Sequence, residues 1–233
     1  MYIFKKIKKI IGFEYYHWSE KSFEHFLRKK GIKLGKNTFW GNIRTISIDT
    51  TRPSLVEIGD NVRIDTGMTI LTHDYPTWVF RYVYNDFVNS SGRVKIGNNV
   101  YFAQHCTVLK GVTVGDNCII GFGSLITKDI PPNSIAVGRP AKVIGNLDEY
   151  YKKRKEKCIE EAFEYARSIQ ERYNRRPIIE DFWEEFPLFM NGDETYPGLP
   201  IEKQFGSAYN HYKHTHKATF NGFDDFLNNA GIK

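Results

Sequence analysis

The sequence predicts a mainly β chain wound as a solenoid from six-residue units, and three observations carry that expectation. First, an aliphatic or Phe residue stands at every sixth position of one stretch: Ile96, Phe102, Val108, Val114, Ile120 and Ile126. Second, four residues after each comes another apolar side chain or a Ser (Val100, Cys106, Val112, Cys118, Ser124, Ile130), with Gly, Asn, Asp or Lys common between. Third, Leu34, Trp40, Ile46, Ile58, Ile64 and Ile70 repeat the pattern in one phase, broken only by Arg52. A period of six fits neither helix nor plain strand. It fits a short strand followed by a corner, with equivalent residues stacked along an axis and the marker residues filling a narrow interior. The two runs are out of phase by two residues, so an insertion lies between them, within the aromatic segment 76–93, PTWVFRYVYNDFVNSSGR.

The segments IGNNV and GVTVGDNCIIGFGSLITKDIPPNSIAVGRPAKVI resemble the hexapeptide-repeat acyltransferases. The resemblance covers about residues 30–145. It implies a left-handed parallel β-helix of triangular section, three hexapeptides to a turn, three chains around a threefold axis, and acetyl-CoA as co-substrate with no metal. The hand comes from the resemblance alone, because parallel crossovers are ordinarily right-handed. The expected organisation is an N-terminal basic and helical cap over 1–33, the β-helix domain over 34–145 with its loop insertion at 76–93, and a C-terminal helical extension over 146–233.

In chain order, residues 1–13, MYIFKKIKKIIGF, set four lysines around an apolar stripe. Such a segment suits peripheral contact with an anionic membrane surface and equally a terminal helix docked on a neighbouring subunit. Segment 19–30 has Phe23, Phe26 and Leu27 at helical spacing, Ser19 or Ser22 as caps and Gly31 as the stop, and should cover the open end of the solenoid. Next, IDTTRPSLVEIGDNV is similar to the glycan O-acetyltransferase branch, where this stretch helps to line the acceptor cleft; that makes Asp49 and Arg52 candidates beside the reading of a polar corner. The insertion should project from a corner towards a neighbouring subunit. Its aromatics, Trp78 and Tyr82 among them, suit either a sugar ring or subunit packing.

His73 and His105 both stand three residues after a repeat marker, at corners and not in the interior. Moving an acyl group from a thioester to a hydroxyl requires the hydroxyl to lose a proton as it attacks, which one neutral imidazole can accept. A backbone N–H in a glycine-containing coil can receive the oxyanion, and no nucleophilic Ser or Cys is needed. IGNNVYFAQH is similar to the galactoside-acetyltransferase pattern, in which a His ending the same segment is the base, so the resemblance favours His105. FAQ stands where Trp-Ile-Gly is commoner. Antibiotic-modifying relatives place their His just before the large loop, which corresponds to His73, with Asp74 beside it able to hold an imidazole tautomer. Coenzyme A is expected along Gly123, Ser124, Thr127, Lys128, Arg139 and Lys142, the basic members facing phosphate.

After Ile144 the repeat stops, and 147–176 reads as a long helix; beyond Pro177, IIEDFWEEFPLF and FNGFDDFLNNAGI read as short aromatic helices with HYKHTH between them. Without Cys or convergent carboxylates HYKHTH reads as surface. The net charge of +6 in 233 residues is modest, mixed and without a nucleic-acid motif, and fits anionic small molecules. Three cysteines without a disulfide framework, no long apolar run and no secretory pattern place the chain in the cytoplasm, at the inner face of the membrane if the basic segment engages lipid. The expected function is O-acetylation of a sugar hydroxyl of a bacterial surface polysaccharide or precursor. The rivals are a nucleotide-sugar N-acetyltransferase, an antibiotic acetyltransferase, a zinc carbonic anhydrase on the same fold, for which a third histidine is missing, and a non-catalytic scaffold.

Overall fold

A computed structural model describes Tyr16 and residues 18–233; the basic segment 1–13 lies outside the described residues. The described chain divides into two compact units, one ending at Tyr151 and one running from Lys152 to Lys233.

The first unit is built from two- and three-residue strands that visit three parallel sheets in rotation. Strands β1 (Lys33–Leu34), β4 (Val56–Ile58), β7 (Val94–Ile96) and β10 (Thr113–Val114) form one sheet. A second holds β2 (Phe39–Trp40), β5 (Arg63–Ile64), β8 (Tyr101–Phe102), β11 (Ile119–Ile120) and β13 (Ser134–Gly138), with β14 (Ala141–Asn146) outermost. The third holds β3 (Ser47–Ile48), β6 (Thr69–Ile70), β9 (Thr107–Val108) and β12 (Leu125–Ile126). Among the described strands only β13 and β14 pair antiparallel, closing the end in a hairpin. Strands β7, β8 and β9 each pair with one eighteen residues later, as in Lys95 with Thr113, Tyr101 with Ile119 and Thr107 with Leu125. Side chains alternate across a strand, so the second residue of each short strand points inward. All six markers of the C-terminal run are accordingly at most 1% exposed.

The earlier run departs from strict repetition. Between Trp40 and Ile58 there is one strand where the period predicts two, and Ile48, not Ile46, pairs with Ile70. Two 3-10 turns, Ile43–Thr45 and Pro53–Leu55, use up the remaining residues, and Ile46 is buried as the residue after the first. The insertion is not a plain loop: Thr77–Val83 is a helix, α2, and His73 bridges to Ser91 before the coil resumes at Val94.

One corner, from the first sheet to the second, is stitched along its length. Asn37, Asn61, Asn99, Asn117 and Asn133 all have φ between 55° and 58°. Each amide nitrogen donates to the side-chain oxygen of the next asparagine at 2.9–3.1 Å. Asn tolerates the left-handed region better than most residues, and its amide both donates and accepts, so one residue type serves the turn and the stack. The residue before supports this: backbone N–H groups of Lys36, Asp60 and Asn98 donate to side-chain oxygens of Asp60, Asn98 and Asp116.

The first coil is covered by helix α1, Glu20–Lys30, with Ser19 as its N-cap and Gly31, at φ 102°, as its stop. Phe23 packs edge-on against Trp40 at 5.1 Å, and the Trp40 indole N–H donates to Glu24. The Arg28 guanidinium donates to the carbonyls of Leu34 and Gly35, which satisfies carbonyls at the exposed edge of the first sheet. At the interior, burial pushes the thiols of Cys106 and Cys118 up from the usual range, and each donates to a backbone carbonyl, Gly121 and Pro131 respectively.

The second unit packs around phenylalanines. Helix α3, Leu147–Tyr173, buries Ala162, Ala166 and Ile169 against Phe182, Phe186, Phe189 and Phe226. The segment predicted as a first aromatic helix forms two 3-10 turns, Ile179–Asp181 and Phe186–Leu188, separated by irregular chain. Three short helices follow: α4 (Ile201–Phe205), α5 (Tyr209–Thr215) and α6 (Phe223–Asn229).

Replacing a ladder asparagine tests the stitched corner. Asn99→Ala should lower stability by about 2–4 kcal/mol, from a strained left-handed backbone and two lost side-chain bonds, while Asn99→Gly should recover the backbone share. Denaturant melting of the three proteins checks it; equal losses for Ala and Gly would remove the backbone contribution.

Candidate active site

Histidine 105 occupies the corner between β8 and β9. Its φ is 60°, and every other non-glycine described residue with positive φ is an asparagine. The same corner position in the neighbouring coils is Gly67 (φ 78°) and Gly123 (φ 67°), so the corner itself demands the left-handed conformation. A histidine there costs about 1–2 kcal/mol that glycine would not. Retaining it points to a use for the side chain. The His105 backbone N–H donates to Thr66 O at 2.8 Å, which locks the corner onto the coil before.

The imidazole is exposed and lies over Gly67: a Cβ built on that glycine would sit 2.3 Å from His105 Nδ1. Nδ1 thus faces the backbone of the previous coil, and Nε2 is the ring nitrogen farther from it. The ring also meets Phe122 edge-to-face, centroids 5.6 Å apart at 77°.

A second histidine stands at a different corner, the one leaving the third sheet. His73 Nδ1 lies 2.5 Å from Asp49 Oδ2. The Asp49 side chain is 5% exposed and takes further hydrogen bonds from the Thr51 amide at 2.8 Å, the Thr51 hydroxyl at 2.6 Å and the Thr72 hydroxyl. Burial works to raise the Asp49 pKa, but these donors outweigh it and hold the carboxylate well below its ordinary range. Asp49 is therefore the carboxylate that orients an imidazole. Asp74, the residue next in sequence to His73, instead pairs with Lys110 Nζ at 2.9 Å, and hydrogen bonds from Ser90 and Lys110 lower its pKa.

Arg52 reaches the Thr51 hydroxyl at 3.5 Å, at the edge of the His73 cluster. Trp78 and Tyr82 lie on α2, 59% and 72% exposed, with the Arg81 guanidinium 3.8 Å from the Trp78 ring and 4.8 Å from the Tyr82 ring. Of the expected coenzyme positions, Thr127, Lys128, Arg139 and Lys142 are exposed, and Gly123 has open space where a side chain would project. Ser124 is different. It is 1% exposed, its hydroxyl donates to Gly121 O at 2.6 Å and accepts from Gly138 N–H at 3.2 Å, so it braces the hairpin and faces no ligand. Two of the three histidines of HYKHTH have backbone partners: His214 Nδ1 donates to Asn210 O and His216 Nε2 to Pro187 O, each at 2.7 Å. Among the described residues no group of three or more His, Cys, Asp or Glu side chains is placed to hold a metal ion.

Two features escaped the sequence reading. Phe122 stands one coil on from Gln104, and counting eighteen residues forward would have found it beside His105. The Asp49–His73 pair spans the polar break at Asp49–Arg52, where the period gives no register.

The chain can be set beside known proteins. Residues 93–128 match the family described as bacterial transferase hexapeptide (six repeats). Protein CapG of Staphylococcus aureus is 35% identical over 159 residues, which is 66% of this chain and 85% of that protein. The galactoside O-acetyltransferase of Escherichia coli (strain K12) is 37% identical over 125 residues, 54% of this chain and 59% of the relative. Among solved structures, a galactoside acetyltransferase in complex with coenzyme A is 30% identical, covering 62% of this chain and 80% of that one with a TM-score of 0.46. The chain belongs to the bacterial hexapeptide-repeat transferase family.

The Asp49 cluster makes a pH prediction. Because the folded pKa is depressed relative to about 3.9 in the unfolded chain, the cluster's contribution is present above about pH 4 and is lost as pH falls below it. Asp49→Asn should cost about 1–3 kcal/mol at pH 7, and the gap to wild type should close towards pH 2. Denaturant melts at both pH values check this; a gap independent of pH would show that the carboxylate is not held ionised.

Proposed function

We propose that the protein is an acetyl-CoA-dependent O-acetyltransferase acting in the cytoplasm on a sugar hydroxyl of a bacterial surface polysaccharide or its precursor, with its coil wound as a left-handed β-helix. Family membership supports transferase chemistry, and a relative named as a galactoside O-acetyltransferase supports a sugar acceptor. The observation that carries the mechanism is an exposed histidine held in a left-handed corner that glycine occupies in the coils on either side.

In this reading His105 accepts the acceptor hydroxyl proton as the oxygen attacks the thioester carbonyl; Nε2, the nitrogen turned from the coil, is the atom placed to do so. The tetrahedral intermediate collapses, the C–S bond breaks, and the imidazolium returns the proton to the departing thiolate. Transfer is direct, with no acyl-enzyme. Lys128 and Arg139 face the coenzyme phosphates, with Gly123, Thr127 and Lys142 along the pantetheine path. Asp49 fixes His73 at the acceptor side, with Arg52, Trp78 and Tyr82 nearby.

His105 and the Asp49–His73 pair stand at different corners of the stacked coils, between the second and third sheets and beyond the third sheet respectively. One acceptor touches both when a second copy brings its corner alongside the first, which supports a homotrimer with sites between subunits. The cap over 1–33, coil domain over 34–145 and extension over 146–233 belong to the same proposal.

Labelled acetyl transfer from acetyl-CoA to extracted glycan, nucleotide-activated amino sugars and antibiotics tests the acceptor class; label confined to amino sugar or antibiotic would overturn it. His105→Ala should lower kcat by about 10²–10⁴-fold, and a larger loss in His73→Ala would transfer the role of base. Arg139→Ala should raise KM for acetyl-CoA about tenfold, with kcat little changed, as loss of one charge-assisted phosphate contact predicts. An unchanged KM would remove Arg139 from the coenzyme site.

A further inference from the structure

We infer that Phe122 is a positioning residue for the His105 imidazole, an inference that rests on the reading of His105 as the base. Thr66, Gln104 and Phe122 take the same corner position in successive coils, each directly before the left-handed residue Gly67, His105 or Gly123. Two are polar, as a solvated corner would have them. Phe122 is 69% exposed, so it adds nothing to the coil interior, and its described ring contact is with His105.

The imidazole needs such a contact. Its own coil lets it project freely, since the residue is exposed and its backbone hydrogen bond fixes the chain, not the ring. On one side lies Gly67, whose missing side chain leaves room for Nδ1 close to the backbone; Gly123 in the following coil leaves open space. With bare glycine at the equivalent position of both neighbouring coils, Phe122 supplies a side-chain wall. The ring planes meet at 77°, the edge-to-face arrangement in which the positive edge of one ring meets the negative face of the other. A contact of this kind favours one rotamer by up to about tenfold, and keeps Nε2 directed away from the coil, where the acceptor hydroxyl must arrive.

The experiment has one readout that needs no activity and one that does. Side-chain NMR of the full-length protein, labelled at histidine, reads the order of the His105 ring. The expected result is a single ordered ring with contacts to Phe122 in wild type, several rotamers in Phe122→Ala, and restored order in Phe122→Tyr. Kinetics should show kcat about tenfold lower in Phe122→Ala with KM for both substrates unchanged, recovery in Phe122→Tyr, and no further loss when Phe122→Ala is added to His105→Ala. An equally ordered ring in Phe122→Ala would overturn the inference. So would a loss confined to KM, or one that persists in the His105→Ala background, because Phe122 would then touch substrate directly. If His105→Ala keeps full activity while the NMR result holds, the reading of His105 as base fails and the ring contact stands.

Discussion

Vertical registry is the constraint on which this molecule depends. Strands of two or three residues have almost no stability alone, since each makes only a couple of backbone bonds and buries one side chain. They persist because the residue above and the residue below are chemically the same. The asparagine corner shows this in its simplest form: the amides of Asn61, Asn99 and Asn117 each donate to one neighbour and accept from the other, and all five asparagines adopt the same left-handed turn. The interior repeats the principle with apolar groups, stacking Ile64, Phe102 and Ile120 along the second sheet. A misplaced coil would break a whole column at once.

That regularity explains what could be read from the sequence. Where equivalent residues stack, the period is written directly in the chain, and the strands from Ile96 to Ile126 stand at the markers. The Gly31 stop of α1 was legible for local reasons, as was the insertion, from the two-residue change of phase. Legibility failed where non-periodic contacts decide. Ile48 displaces Ile46 because two 3-10 turns consume residues that strands would have used. Asp49 reaches His73 across the gap between successive coils, a pairing no local pattern announces, whereas adjacent Asp74 turns to Lys110. Ser124 lies in the segment expected to meet the coenzyme, but its side chain points inward, as its place in the period requires.

The two histidines show the same fold treating one residue type in two ways. His73 is tied to a buried carboxylate that is itself saturated by threonine donors, so its ring has little freedom. His105 has no such tether among its described contacts and is placed by backbone geometry and by the shape of its neighbours. The first arrangement orients by charge and hydrogen bonding. The second leaves a ring nitrogen uncommitted, which is what the role proposed for His105 as a proton acceptor requires.

The insertion leaves the coil after His73 and the chain rejoins it in register at Val94, which pairs with Val56 as though the intervening residues were absent. Its length and composition are therefore decoupled from the column of corners that holds His105. Descendants of such a chain can lengthen, shorten or replace the aromatic helix without moving the imidazole. A coil of this construction separates what is inherited unchanged from what is free to diverge, so one scaffold can keep the corner proposed for proton transfer while the proposed acceptor side changes by rewriting a single segment.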